Sequence, residues 1–224
     1  MVSQRSRMSL EFIGYIPTRD GSEALPPRGP IVDRDYVEQS AQAHQEAGFD
    51  RALVAFHATS PESLLIGAHV ASAAPNLGVM IAHRPGFTVP TLAARQFATL
   101  DQLTGGRAAI HVISGGNDAE QRQDGDYLSH DERYARTDEY LEVVRKIWTS
   151  PTPFDHHGRF YRFSGGFSDV RPVQQPHIPI FFGGSSSYGQ CSRQWPQDRH
   201  SSMSAIFARH SLVRNCCQGI RRSR

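Results

Sequence analysis

The sequence contains few cysteines, and their positions are informative. All three, Cys191, Cys216 and Cys217, follow residue 187, so the longer first part of the chain has none. A disulfide-stapled secreted fold is therefore excluded for that part. Cysteine pairs at zinc-ligand spacing, an HExxH sequence and a Walker-type loop are also missing. The sequence thus predicts no metal site and gives no support to metal-dependent or nucleotide hydrolysis.

Strong charge and long apolar runs are absent as well. The net charge is only +2, from 24 basic and 22 acidic residues, which provides no concentrated basic face for a nucleic acid. No apolar run approaches the roughly 18–20 residues that cross a bilayer, and the N-terminus does not have the regions of a signal peptide. We therefore expect a cytoplasmic protein with neither nucleic acid nor membrane as a partner.

Short apolar runs alternate with amphipathic stretches from residue 10 to residue 182. This alternation predicts an α/β fold in which a parallel sheet is buried by helices. The predicted strands are 11–17, 51–56, 77–82, 107–113 and 178–182, and the predicted helices are 33–47, 61–74, 91–103 and 130–148. Residues 114–128 are predicted to form a surface loop or lid. Residues 154–163 are predicted to form a hairpin whose tip carries His156 and His157.

The number of predicted strands limits the possible architectures. Five strands fit an open doubly wound sheet, or about the first five units of a TIM-barrel-like (β/α)8 fold, since each β/α unit takes roughly 30–45 residues. Residues 1–187 form this part. Residues 188–224 contain seven arginines, one acidic residue and no sustained period. They are predicted to be a disordered basic tail or a segment translated out of frame.

Polar residues follow the predicted strands, at the edge where parallel α/β proteins bind ligands. Ser185 and Ser186 follow two glycines at a strand end, where backbone N–H groups and hydroxyls suit a phosphate, although an ordinary turn has the same composition. His130 and Tyr134 are four residues apart on one face of a helix start. The Tyr134 hydroxyl could donate to a phosphate there, or the ring could belong to the core.

Three segments in order resemble the bacterial luciferase-like flavin-dependent monooxygenase family, nearest to the alkanesulfonate monooxygenases. They are TLAARQFATLDQLTGGRAAIHVISGG (91–116), SHDERYARTDEY (129–140) and IPIFFGGSS (178–186), supported by EFIGYIPTRDGSE (11–23) and VMIAHRPGFTVPTLAARQ (79–96). The resemblance covers residues 8–187. It implies a TIM-like barrel that binds reduced FMN (FMNH2) supplied by an NAD(P)H:flavin reductase. It further implies O2-dependent oxidation of a small organosulfonate to aldehyde and sulfite through a C4a-peroxyflavin, in a protein whose intact relatives are homo-oligomers.

The resemblance also implies roles for single residues. It places seven cofactor-binding residues and one substrate-binding residue on this sequence: Ser60, His83, Ser114, His130, Tyr134, Ser185 and Ser186 for the flavin, and Arg19 for the substrate. Ser60 stands where the alkanesulfonate enzymes have cysteine, and Arg19 where they have histidine. Residues 188–224 do not resemble the family's later strands, so no catalytic residue is assigned.

Several alternatives follow from these departures. The substrate could be a sulfone or an aminopolycarboxylate instead of a sulfonate, or the barrel could serve a deazaflavin-dependent reductase. The chain could also be a truncated remnant without activity, because an incomplete barrel leaves strand edges and apolar helix faces exposed. On that basis we expect the chain as written to fold poorly and to lack turnover.

Overall fold

A computed structural model describes residues 10–21 and 24–183, and a parallel sheet covered by helices is its main feature. In chain order the strands are β1 (Ile13–Tyr15), β2 (Arg51–Val54), β3 (Gly78–His83), β4 (Ala108–Ile113), β5 (Phe154–His157), β6 (Arg162–Gly166) and β7 (Ile180–Gly183). The helices are α1 (Arg34–Glu46), α2 (Ser63–Ala73), α3 (Pro90–Leu103), α4 (Asp118–Gln123) and α5 (His130–Thr149). Ser185, Ser186 and the predicted tail 188–224 lie outside the described residues.

The main sheet has the order β1-β2-β3-β4-β7, and all its neighbouring strands are parallel. The register places Ile13 opposite Arg51 at one edge and Ile113 opposite Gly183 at the other. Strands β5 and β6 form a separate antiparallel hairpin. The α/β class predicted from the alternating pattern is therefore confirmed, and the carboxyl ends of the five parallel strands share one edge of the sheet.

Local sequence signals determine where the longer helices begin and end. The Asp33 side chain accepts a hydrogen bond from the backbone N–H of Tyr36 and caps the start of α1. Beyond its end Gly48 takes the left-handed conformation, with φ of 77°, that favours glycine. The predicted capping box at the start of α5 is present, because Ser129 and Glu132 bond each other's backbone N–H groups.

The sheet has two apolar sides, which we call the helix side and the inner side. Side chains alternate along a strand, so Val79 and Ile81 of β3 pack with the large cluster under the helices, which includes Phe97 of α3. Met80 and Ala82 instead belong to a smaller cluster on the inner side, together with Leu53, Ala109 and Phe181. This alternation determines which rim residues can face the interior of a barrel.

Three sequence-based expectations need correction. The predicted loop 114–128 contains the short helix α4, which Asn117 caps by accepting hydrogen bonds from two backbone N–H groups. His156 and His157 lie within β5 and not at the hairpin tip, because the chain turns only after them. Tyr134, whose ring could have belonged to the core, is only partly buried.

Among the described helices, none combines the length and the apolar character needed to cross a bilayer.

Candidate functional site

The start of α5 meets the end of β7 at the carboxyl edge of the sheet. The rings of His130 and Tyr134 lie 4.8 Å apart on α5, and Tyr134 lies 5.8 Å from the ring of Phe182 in β7. His130 is partly exposed, and its Nδ1 lies 3.2 Å from a carboxylate oxygen of Asp131. The structure therefore brings His130 and Tyr134 together beside Gly183, the residue that precedes the sequence GSS.

His83 lies on the helix side of the sheet, between α3 and α5. Its Nε2 is 2.6 Å from the hydroxyl of Tyr140, and its ring stands edge-on to Phe97 at 5.0 Å. Burial lowers the pKa of His83 to about 4 and raises the pKa of Tyr140 well above its ordinary value. His83 is therefore neutral near pH 7, and the protonated Tyr140 hydroxyl can donate to its Nε2.

Ser114 also faces the helix side. Its Oγ lies 3.1 Å from the hydroxyl of Thr137 on α5, which in turn donates to the carbonyl oxygen of Arg133 at 2.8 Å. Ser114 is buried. His83 and Ser114 thus lie on the helix side of the sheet, because the alternation along β3 and the end of β4 turns them toward the helices.

Ser60 and Arg19 lie in the loops that follow β2 and β1. The Ser60 hydroxyl accepts a hydrogen bond from the N–H of His57 and donates to the carbonyl of the same residue, both at 2.9 Å. It therefore stabilises a local turn. Arg19 is partly exposed, between Thr18 and Asp20, whose carbonyl oxygens accept backbone bonds from Asp33 and Arg28. A substrate-binding role for Arg19 remains a prediction.

Two side chains on the inner side of the sheet are functional candidates that the sequence analysis did not identify. Arg84 follows His83 and is only 3% exposed, and its guanidinium lies 4.9 Å above the ring of Phe56. Its Nη2 donates to the carboxylate of Glu120 on α4 at 2.9 Å. His111 of β4 also faces inward, where burial lowers its pKa and where a Cβ on Gly183 would approach its Nε2 to 2.6 Å. Because the strands carry apolar residues on both sides, no sequence signal separated these two residues from their neighbours.

Buried arginines fasten the segment 115–128 to the rest of the fold. Arg133 is 1% exposed and donates to Asp118 at 2.7 Å and to the carbonyl oxygens of Gly115 and Leu128. Arg136 pairs with the buried Asp126. With the Arg84–Glu120 pair, three carboxylates of this segment each meet one buried guanidinium. The segment is therefore held to the fold through charge pairs with α5 and with Arg84.

No metal site accompanies these groups. Within residues 10–21 and 24–183, no three His, Cys, Asp or Glu side chains gather in a way that could hold a metal ion. His156, which the sequence pairs with His157, bonds instead to Glu139 of α5 at 3.1 Å. The same carboxylate accepts the backbone N–H groups of Phe160 and Tyr161. These contacts attach the hairpin to α5, so His156 has a structural explanation.

Known proteins resemble this chain in sequence and in fold. The profile of the family described as luciferase-like monooxygenase matches residues 10–189. The FMNH2-dependent dimethylsulfone monooxygenase of Pseudomonas putida is 41% identical over 162 residues, which cover 69% of this chain and 44% of that enzyme. The chain therefore spans about half the length of the relatives it matches.

Solved structures with lower sequence identity share the fold. EDTA monooxygenase from Chelativorans sp. BNC1 superposes with a TM-score of 0.70 at 21% identity, covering 80% of this chain and 50% of that one. DmoA from Hyphomicrobium sulfonivorans gives a TM-score of 0.65 at 23% identity over 80% of this chain and 49% of that one. The family match covers most of the sequence, and the fold agrees with it. The chain belongs to the luciferase-like monooxygenase family.

Proposed function

We propose that this chain carries the reduced-FMN site of a monooxygenase that acts on a small organosulfur compound. The observation that supports this most strongly is the meeting of α5 and β7, where the Tyr134 ring lies 5.8 Å from Phe182. His130 shares this place, and Ser185 and Ser186 follow Gly183 by two and three positions in the sequence. We assign these four side chains to the flavin phosphate.

The chemistry of these groups fits a phosphate dianion. A phenol and a serine hydroxyl can donate hydrogen bonds, and the N-terminal end of a 20-residue helix carries a partial positive charge. The two acidic residues of the first turn do not oppose this strongly, since Glu132 is bonded to Ser129 and Arg159. When bound, reduced FMN supplies the electrons that activate O2. The protein's part is to hold the phosphate and orient the ring toward the inner side, near His111 and Arg84.

His83 and Ser114 have a different role in this proposal. Because both bond to residues of α5 on the helix side, we propose that they position that helix and do not contact the flavin ring. Ser60 likewise shapes the loop after β2, through its bonds to His57. The neutral His83 accepts a hydrogen bond from the Tyr140 hydroxyl. The apolar layer between the sheet and α5 therefore contains no buried charge at His83.

The similarity in sequence bears on the substrate. The 41% identity to a dimethylsulfone monooxygenase favours a sulfone over the alkanesulfonate that the sequence motifs suggested. We propose O2 and an NAD(P)H:flavin reductase as the other partners, in the cytoplasm. The substrate, the two partners and the cytoplasmic location are proposed for a full-length protein of this family, because the chain spans only 44% of that relative. Flavin binding is the step in which the role of the described residues can be tested.

The test is a fluorescence titration of FMN with the chain, repeated anaerobically with FMNH2 by absorbance. We expect saturable quenching, and about tenfold weaker binding for Tyr134→Phe, since a hydrogen bond to a charged group contributes about 1.5 kcal/mol. Tyr127→Phe is the matched control, because Tyr127 is 78% exposed in the segment before α5. Equal affinity of the two variants, or tighter binding of a deazaflavin than of FMN, would contradict the proposal.

A further inference from the structure

Two hydrogen-bond donors from two loops converge on one oxygen of Glu120, and the ring of His57 lies near the same oxygen. The Nη2 of Arg84 lies 2.9 Å from Oε1, the backbone N–H of Ala58 donates to it at 3.1 Å, and the Nδ1 of His57 is 3.6 Å away. Arg84 follows β3, and His57 and Ala58 follow β2. We call this group the oxyanion cradle. It stands at the carboxyl edge of the sheet, where barrels of this kind bind ligands.

The deepest member of the cradle has unused capacity. The Arg84 side chain is 3% exposed, and its guanidinium lies 4.9 and 5.7 Å from the ring centroids of Phe56 and Phe87, which stack on each other at 6.1 Å. Its Nε and Nη1 are buried and have no hydrogen-bond partner among the residues that the structure describes. A buried guanidinium with two unsatisfied donors is costly for a fold. Such a group is typical of a site that a ligand completes.

The anion in the cradle comes from a segment outside the sheet. Glu120 belongs to the six-residue helix α4, and its side chain is 23% exposed. Burial alone would raise the pKa of Glu120, but the bonds from Arg84 and Ala58 and the nearby His57 outweigh it, so the pKa is lowered. The cradle therefore holds a charged carboxylate, which is a group of the protein itself.

We propose that the oxyanion cradle binds a sulfonyl oxygen of the substrate, and that Glu120 fills this position when no substrate is present. The choice of an organosulfur ligand rests on the proposed function. A tetrahedral sulfonyl group presents at least two oxygens, so once Glu120 has left it can accept from Ala58 and from one edge of Arg84, which is Nη2 together with the unused Nε or the unused Nη1. The rings of Phe56 and Phe87 provide apolar surface for the carbon substituents. Arg84 is then the residue that selects for S=O groups.

The first test uses the wild-type chain and two probes, methanesulfonate and dimethyl sulfone. We expect the backbone amide resonance of Ala58 to shift on titration, because the oxygen that it bonds is replaced. A shift with the sulfone alone identifies a site for neutral sulfones, and a shift with methanesulfonate alone identifies a site for sulfonates. If neither probe moves Ala58 at probe concentrations up to about 10 mM, which would fill roughly nine-tenths of a site with a Kd of 1 mM, the proposal is wrong.

The second test removes the internal competitor. Glu120→Gln should bind methanesulfonate about tenfold more tightly than the wild-type chain in calorimetry, which is about 1.4 kcal/mol. The control Glu142→Gln changes an exposed glutamate of α5 and should leave this affinity unchanged. Arg84→Met should abolish binding. Equal affinity of Glu120→Gln and the wild-type chain would overturn the role of Glu120.

The FMN titration separates this proposal from the one on which it rests. A wild-type chain that binds FMN while both sulfonyl probes leave Ala58 unmoved contradicts the cradle and leaves the flavin site standing. A chain that binds a sulfonyl probe but no flavin supports the cradle and contradicts the proposed function. Because the Ala58 measurement needs no substitution, it decides the matter even where a variant fails to fold.

Discussion

The stability of the fold should fall in mild acid, and His83 should account for much of the loss. Its pKa is lowered to about 4 by burial, whereas an unfolded histidine titrates near 6.5. Between these values the unfolded chain binds a proton that the folded chain does not, so the free energy of unfolding decreases as the pH falls from 6.5 toward 4. Above pH 6.5 both states are neutral at His83, and this dependence disappears.

The magnitude follows from the same two pKa values. The difference between 6.5 and about 4 corresponds to about 3 kcal/mol at full titration, of which about 2 kcal/mol is lost between pH 7 and pH 4.5. The assay is urea unfolding followed by the fluorescence of Trp148, which lies in the core. His83→Gln cannot take up the proton, and it should lose about 2 kcal/mol less than the wild-type chain over this range.

A control substitution isolates the effect. His157→Gln alters an exposed position of β5 and should follow the wild-type curve. If the wild-type chain and His83→Gln lose the same free energy of unfolding between pH 7 and pH 4.5, the reasoning fails. His83 would then titrate normally in the folded protein, and its burial would not keep it neutral.

Three further predictions concern the buried charges and one glycine, and each is checked by urea unfolding at pH 7. Arg136→Met should lower the free energy of unfolding by about 3 kcal/mol, because it leaves the carboxylate of Asp126 buried without its cation. Adding Asp126→Leu should restore part of this loss. No recovery in the double variant would argue against the ion pair. Gly86→Ala should lower the free energy of unfolding by about 2 kcal/mol, since φ is 112° and a Cβ would lie 2.2 Å from the guanidinium carbon of Arg136. An unchanged urea midpoint would refute this prediction. Asp101→Ala should lower the free energy of unfolding by about 3 kcal/mol, because it removes three hydrogen bonds from Val173 and Gln174. The control is the surface variant Asp35→Ala, and an equally small loss in both variants would contradict the prediction.

The order of the elements could be predicted from sequence because it depends on local signals. Asp33 and Ser129 cap α1 and α5, and Gly48 follows the end of α1. The apolar strands were located to within a few residues for the same reason. The helix α4 was missed because its six residues, five of them polar, show no apolar period. Its attachment to the fold depends on Arg133, which lies 15 residues away from Asp118.

The site could be predicted only in part, because both sides of the sheet are apolar. In β3 every residue from Gly78 to Ala82 is buried, so the sequence does not reveal which alternate positions face the helices. For this reason His83 was expected to line the flavin, although its neighbour Arg84 is the residue on the inner side. The pairing of His156 with Glu139 was equally inaccessible, since it joins a hairpin to a helix across the fold.

The central claim is that FMN binds where the start of α5 meets the end of β7. Hydrogen–deuterium exchange with and without saturating FMN tests it most directly. The account predicts slower exchange in peptides that cover residues 128–135 and 180–183, and no change in the hairpin of β5 and β6. Protection confined to the hairpin, or quenching of FMN without any protection around Tyr134 and Phe182, would contradict it.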